Sequence, residues 1–257
     1  MVTEWGETWQ VDFTPEKTQA MVISRSPAAS LAVSGCLCLG GQILPLQESI
    51  KVLGVTVDCG LRFDRHVTAV AHQASLRVSA LCRMAGSLDS RGILTLYKAQ
   101  IRPCMEYGAL SWMLSAATHL QRLDAVQHCV LRLVGIAAQQ QQQEEQTEVT
   151  SLEHRRDVLA LVVQHKARVL EVPHLSSLRL PARAVQRESR ATTSSDMLVH
   201  VPRSHSRQHQ RSYTTRTARL WNAFTAATSD TQTMMLQQMK VCPHRWQKTQ
   251  TPTLELC

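Results

Sequence analysis

Lys51-Val52-Leu53-Gly54-Val55-Thr56-Val57-Asp58-Cys59-Gly60 runs directly into Leu61-Arg62-Phe63-Asp64-Arg65-His66-Val67, and the period of the apolar residues changes across that join. Val52 to Val57 is short and rich in β-branched residues, which predicts a strand. After Gly60 the apolar residues Phe63, Val67, Val70, Ala74, Val78 and Leu81 recur at three- and four-residue steps, the spacing of one helical face. Arg65, His72, Arg77 and Arg83 fall largely off that stripe. A small sheet thus passes into helices, and the expected fold class is α+β.

Upstream, Trp5 and Trp9 stand at i, i+4 spacing, as on one side of a helix. Thr14-Pro15-Glu16-Lys17 reads as a turn, because proline fixes φ and cannot donate to a strand. Thr18 to Ser24 is expected to be a strand centred on Met21, Val22 and Ile23. Two short extended pieces, Cys36 to Leu39 and Gln42 to Leu46, are separated by Gly40-Gly41 as a hairpin turn.

Downstream, a helix opens near Ser90 with Leu94, Tyr97 and Ile101 on one face, and is disturbed at Pro103. Another runs from about Thr118 with Leu120, Leu123, Val126, Val130 and Leu133 inward. Gln139 to Gln143 with Glu144 and Glu145 is a polar low-complexity tract, read as a linker. Ser151 to Leu170 is expected to be a helix capped by Ser151, with Leu152, Leu159, Val163 and Leu170 inward and ended by Pro173. Pro181 to Leu220 holds eight arginines against Glu188 and Asp196 and few large apolar residues, which predicts an extended or disordered basic arm. A short helix around Ala218 to Phe224 is expected to dock Leu220, Trp221 and Phe224, leaving a loose tail. The expected divisions are 1–60, 61–137, a linker at 138–150, and 151–257.

The 257 residues are 44% hydrophobic but only 4% aromatic, which suits a core of Leu, Val and Ala. A net charge of +8 and a pI near 9.3 favour an anionic partner, nucleic acid first. Glu4 and Glu7 interrupt the N-terminus before any signal-like apolar run develops, so an intracellular location, nucleus or cytoplasm, is expected. The eight cysteines then read as reduced thiols. Val158 to Val163 is too short to cross a bilayer, which takes about 20 apolar residues, and no membrane partner is expected.

Four ordered stretches carry a resemblance. Phe13-Thr14-Pro15-Glu16-Lys17-Thr18-Gln19-Ala20-Met21 is similar to the palm segment after the catalytic turn of non-long-terminal-repeat retrotransposon reverse transcriptases of the jockey-like, arthropod type. Lys51 to Asp58, with Leu61, Phe63 and His66, is similar to their primer-grip hairpin and its exit into the thumb. Leu96 to Tyr107, with Trp112, His119 to Asp124, Val126 and Gln127, resembles their helical thumb, where Glu106-Tyr107 is distinctive. Ser151-Leu152-Glu153-His154-Arg155-Arg156-Asp157, Pro173-His174-Leu175, Leu178 to Pro181 and Arg219 to Asn222 resemble the region beyond it.

The resemblance implies the end of a palm sheet, a thumb-like helical region and a basic C-terminal arm. It makes Lys17 a candidate contact to nucleotide phosphates, where a lysine would offset leaving-group charge. Lys51 and Gly54 become candidate nucleic-acid contacts, Gly54 because a glycine in a strand admits another backbone closely. Arg183, Arg187, Arg190, Arg203, Arg207, Arg211, Arg216 and Arg219 are candidate phosphate contacts, with His205, His209 and Tyr213 interleaved for base stacking. The implied partner is RNA or an RNA–DNA duplex, bound without sequence preference. An open palm edge is a second route to association.

Polymerisation needs two metal ions held by closely placed carboxylates. No two Asp are adjacent in the 257 residues and no aromatic-x-Asp-Asp occurs, so no catalytic residue is assigned, and magnesium is expected only for an intact polymerase. Cys36-x-Cys38 and Cys242-Pro243-His244 lack a second ligand pair at zinc-site spacing, so no metal site is expected either. The reading is a reverse-transcriptase portion lying downstream of the catalytic aspartates, with nucleic-acid binding at most. A helical scaffold protein derived from such an element, and a decayed reading frame without function, remain alternatives.

Overall fold

Two β-hairpins and the turn that leaves them organise residues Met1–Ala69, the first of two compact units in the computed structural model. The structure describes residues 2–24, 26, 28–140, 149–183, 198–228 and 231–248. Strands β1 (Cys38–Leu39) and β2 (Gln42–Ile43) pair antiparallel through Gly40 and Gly41, at φ 57° and 79°. Such a two-residue turn needs positive φ at both centres, and glycine adopts it without a Cβ clash. β3 (Ser49–Val52) and β4 (Val55–Asp58) form the second antiparallel hairpin, with Val52 opposite Val55.

Val52 to Val57 is therefore not one strand, contrary to the expectation from its β-branched run. The chain reverses at Leu53 and Gly54, which sit at φ 47° and 88°. Gly54 serves the turn, and Leu53 occupies a left-handed position that a leucine adopts at a cost of about 1–2 kcal/mol. The hairpin then exits through a second constrained segment. One carboxylate, that of Asp58, accepts hydrogen bonds from the backbone N–H groups of Gly60 (3.1 Å), Arg62 (3.0 Å) and Phe63 (2.6 Å). These bonds hold Leu61 and Phe63 at φ 50° and 58°. His66 accepts from the Thr56 N–H through Nδ1 at 3.2 Å, tying the following helix back to β4. Asp58, Leu61, Phe63 and His66 are thus the means by which a hairpin is turned into a helix.

Thr18 to Ser24 is not a strand. It makes one parallel bridge, Ala20 to Leu46, with the Gln47 N–H donating to the Ala20 carbonyl at 2.8 Å. Pro45 precedes that bridge and has no N–H to extend a ladder. Helix α1 (Val2–Trp9) sets Trp5 beside Trp9 and Phe13, with ring centroids 6.3 and 6.1 Å apart. α2 (Ala28–Val33) precedes the first hairpin.

The second unit, Val70–Cys257, is helical among its described residues. α3 (Asp64–Met84) begins in the first unit and buries Val67, Ala74, Val78 and Leu81, as its spacing predicts, with Ala71 beside them. Asp89 caps α4 (Ser90–Leu96) by accepting from the Gly92 N–H at 2.7 Å. The helix widens to π geometry over Tyr97–Ile101 before α5 (Arg102–Glu106), because Pro103 supplies no N–H and its ring clashes with the preceding turn. α6 (Ala109–Trp112) and α7 (Ala117–Gln140) follow, the latter burying Leu120, Leu123, Val126, Val130 and Val134. The Gln/Glu tract beyond Gln140 lies outside the described residues as far as Glu148.

Ser151 caps α8 (Leu152–Arg168), accepting from the His154 N–H at 3.2 Å as expected. Its buried face differs from the expected one. Val158, Ala160, Leu161 and Val162 are buried, whereas Leu159 and Leu170 are exposed. α8 is nearly enclosed, so a single-stripe reading selects the wrong leucines. Val158, Leu161 and Val162 join Leu180, Val199, Ala218, Trp221, Phe224 and Met239 in one core.

From Arg207 onward the basic arm is helical, correcting the extended or disordered expectation there. α9 (Arg207–Arg211) and α10 (Tyr213–Ala227) carry it, and Trp221 and Phe224 are fully buried, as anticipated for that short stretch. The tail is not loose over Leu236–Lys248. There α11 places Met239 in the core and sets Trp246 edge-on to Phe224 at 5.5 Å. Sparse apolar residues suffice because α8 adds Val158, Leu161 and Val162 to the same core.

His165 is fully buried in α8, and neither ring nitrogen has a hydrogen bond of normal geometry. Burial holds its pKa below the ordinary 6.5, outweighing the opposing pull of the nearby Met234 backbone. The unfolded chain therefore takes up a proton near pH 6.5 that the folded chain refuses. Stability is complete above that pH and falls as pH drops toward the lowered folded value. Urea midpoints between pH 7.5 and 5.5 should decline in the native chain and decline less in His165→Leu. For the hairpin, Leu53→Asn should slow amide exchange at Val52 and Val55, and Gly54→Ala should speed it, each by a stability change of about 1 kcal/mol.

Candidate nucleic-acid interface

The first turns of α8 decide which charged side chains are available to a ligand. Successive helical residues point about 100° apart, so four in a row face four directions. His154 Nε2 lies 2.7 Å from His244 Nδ1 of α11, with the two rings stacked at 4.8 Å. Arg155 forms a two-pronged ion pair with Glu106 of α5, through Nε to Oε1 and through Nη2 to Oε2 at 3.0 Å. Arg156, only 5% exposed, lies over the Trp112 ring of α6 at 5.9 Å. Asp157, also buried, accepts from Arg216 of α10 at 2.6 and 2.8 Å, and Arg216 also reaches Glu153 at 2.7 Å.

Electrostatics follow from these contacts. The hydrogen bond to Glu106 holds the Arg155 pKa above its ordinary value. Burial lowers that of Arg156, partly offset by Asp124 and Glu153. The Arg216 hydrogen bond keeps the Glu153 carboxyl below the usual range. For Arg216 burial pulls downward, yet its bonds to Asp157 and Glu153 prevail and raise the pKa.

This network sorts the arginines that sequence grouped together. Arg216 is occupied by two carboxylates, and Arg211 Nε donates to the Leu114 carbonyl at 3.2 Å. Both therefore hold the fold. Arg183, Arg203, Arg207 and Arg219 are exposed and form no ion pair among the described residues. Arg187 and Arg190 lie outside the described residues. His205 is exposed, His209 Nδ1 is 3.3 Å from the Thr215 hydroxyl, and burial pushes the Tyr213 phenol up to about 12.

In the first unit Lys17 ends a single 3-10 turn, Pro15–Lys17, and is exposed. Lys51 is exposed on β3 opposite Thr56, and Gly54 is exposed at the tip of that hairpin. The two candidates share the hairpin, while Lys17 stands on a separate turn. Cys36 and Cys38 are exposed free thiols, and His244 finds His154 rather than Cys242. Among the described residues no group of three His, Cys, Asp or Glu is placed to hold a metal ion. No described helix is long and apolar enough to cross a membrane.

Sequence reading missed two cations near the bridge of Ala182 to Val199. Arg168 Nη1 donates to the Leu180 carbonyl at 3.3 Å, and Arg179 pairs with Glu171 at 3.3 Å. Each lies outside the arginine-dense window, so composition alone does not find them.

About half of the chain is homologous to RNA-directed DNA polymerases of non-long-terminal-repeat retrotransposons. It is 28% identical over 137 residues to the RNA-directed DNA polymerase from mobile element jockey of Drosophila melanogaster, covering 51% of this chain and 14% of that protein. It is 26% identical over 138 residues to the probable RNA-directed DNA polymerase from transposon X-element of the same fly, with the same shares covered. The jockey polymerase of Drosophila funebris is likewise 26% identical over 138 residues. The chain therefore spans about one seventh of the length of these relatives. No family model matches, and no solved structure matches.

Asp157→Ala should destabilise the second unit by about 3 kcal/mol, because it leaves the Arg216 guanidinium without its buried partner. The double replacement Asp157→Leu with Arg216→Met should recover most of that loss in urea denaturation. Equal loss in both variants would show that packing, rather than charge pairing, joins α8 to α10.

Proposed function

We propose that this chain is a region of a retrotransposon RNA-directed DNA polymerase downstream of its catalytic carboxylates, and that it contacts nucleic acid through phosphates without reading bases. The homology to jockey and X-element polymerases supports the family, and the order of the four motif stretches supports the place within it. Residues 1–60 then correspond to the end of the palm, 61–137 to the thumb-like helices, and 151–257 to a folded basic region.

One observation carries the binding role. Residues 1–69 hold seven carboxylates against five Lys and Arg, whereas residues 70–257 hold 23 Lys and Arg against 13 carboxylates. The cationic surplus thus belongs to the second unit. Internal ion pairs occupy Arg155 and Arg216, leaving Arg183, Arg203, Arg207 and Arg219 exposed for a polyanion. Lys17, Lys51 and Gly54 remain proposed contacts of the first unit. With no adjacent aspartates in its sequence, this chain is not expected to polymerise DNA by itself.

A scaffold role has one observation in its favour. Trp5, Trp9 and Phe13 form an aromatic group whose members are 52%, 64% and 39% exposed.

Filter binding of the full chain to a mixed-sequence RNA across a salt series tests the proposal. Log affinity should fall linearly with log salt, and RNAs of different sequence should bind alike. Absence of retention at about 50 mM salt would sink the binding role. A complex that forms with protein and survives nuclease would favour the scaffold reading.

A further inference from the structure

Three stretches of chain that carry four arginines meet at one short piece of paired backbone. Ala182 and Val199 form an antiparallel bridge, flanked by the Arg183 N–H donating to the Leu198 carbonyl (3.0 Å) and the His200 N–H donating to the Pro181 carbonyl (2.9 Å). From one side Arg168, in the last turn of α8, reaches the Leu180 carbonyl. From the other, Asn222 of α10 clamps Val199 twice, accepting its N–H and donating to its carbonyl, both at 2.9 Å. Arg219 lies three residues before Asn222, one turn along the same helix. Arg179 and Arg183 lie on the bridged segment itself.

The local charge is positive and only weakly compensated. Burial first, and the positive charge of Arg179 second, hold Arg168 below its ordinary pKa, which places two like charges near each other. Glu171 pairs with Arg179, but at 48% and 68% side-chain exposure such a pair contributes little and is readily exchanged for another anion. No carboxylate pairs with Arg183 or Arg219 among the described residues. Leu180 and Val199 are buried in the core, so the backbone that carries these arginines is fixed.

We infer that this junction is the principal phosphate-backbone site of the chain, with Arg179, Arg183 and Arg219 contacting phosphates of an RNA strand and Arg168 holding the carrier segment in place. The inference rests on the nucleic-acid reading above and narrows it from a basic surface to one place in the fold. The contacts are to phosphate, so no base preference follows.

The test compares the full-length native chain, the triple variant Arg179→Gln, Arg183→Gln, Arg219→Gln, and a charge-matched control, Arg83→Gln, Arg91→Gln, Lys98→Gln. The control residues are exposed on α3, on α4 and in the π segment after it. The probe is a 20-nucleotide single-stranded RNA, read by filter binding across a salt series, with circular dichroism to confirm the fold. At about 0.7 per phosphate contact, the salt slope of the triple variant should fall by about 2, and that of the control by much less. Equal falls in both, or no fall in the triple variant, would overturn the inference while leaving nucleic-acid binding intact. A native chain that fails to bind at low salt removes the binding role and this site together. Should the triple variant misfold, Arg219→Gln alone decides the matter, with a fall of about 0.7 expected and no change overturning it.

Discussion

The two-pronged ion pair between Asp157 and Arg216 is the contact around which the second unit is arranged. It fixes α10 against α8 at a buried carboxylate, and its neighbours in sequence fix three more elements from the same two turns. The arrangement follows from helix geometry. Residues 154 to 157 step around α8 by about 100° each, so consecutive side chains cannot share a neighbour and instead draw in α11, α5, α6 and α10. A buried pair of this kind adds little net stability over an apolar pair of the same shape. Its effect is on specificity, since another placement of α10 leaves the buried Asp157 carboxylate without its partner.

That constraint also settles how charge is presented. A run of arginines spaced along 183 to 219 looks like one polyanion-binding tract, but the fold divides it. Arg216 and Arg211 turn inward to a carboxylate pair and a carbonyl, while Arg183, Arg203, Arg207 and Arg219 stay on the surface. Arg179, from the Leu178 to Pro181 stretch, lies on the same bridged segment as Arg183, a few residues before Ala182. The motif stretches behave in the same way. Asp58 and His66 bond to backbone N–H groups, and Glu106 bonds to Arg155.

Features set by neighbours in sequence were readable in advance. The Ser151 cap, the Gly40-Gly41 turn, the α3 stripe and the interruption at Pro103 each depend on a few adjacent residues, and each lies where it was expected. The structure departs from the sequence expectation in three places. β-Branching predicts one strand over Val52 to Val57, yet Leu53 takes a left-handed turn position that leucine does not advertise. The apolar face of α8 differs from the expected stripe because helices surround it on several sides. The sequence predicts a short docking helix over Ala218 to Phe224, but the extent of the folded region depends on partners 60 residues away in α8.

By itself the sequence determined the order of sheet before helices, the helix boundaries marked by caps and proline, the basic balance, and the likeness to retrotransposon polymerases. All of these are local or compositional properties, fixed by backbone sterics and side-chain type. Only the tertiary structure decided that Arg155 meets Glu106 across 49 residues and that Arg216 meets Asp157 across 59. It alone decided which of the described arginines stay exposed. A charge carries no mark of its partner until packing brings the two within a few ångströms, where desolvation leaves each no better alternative.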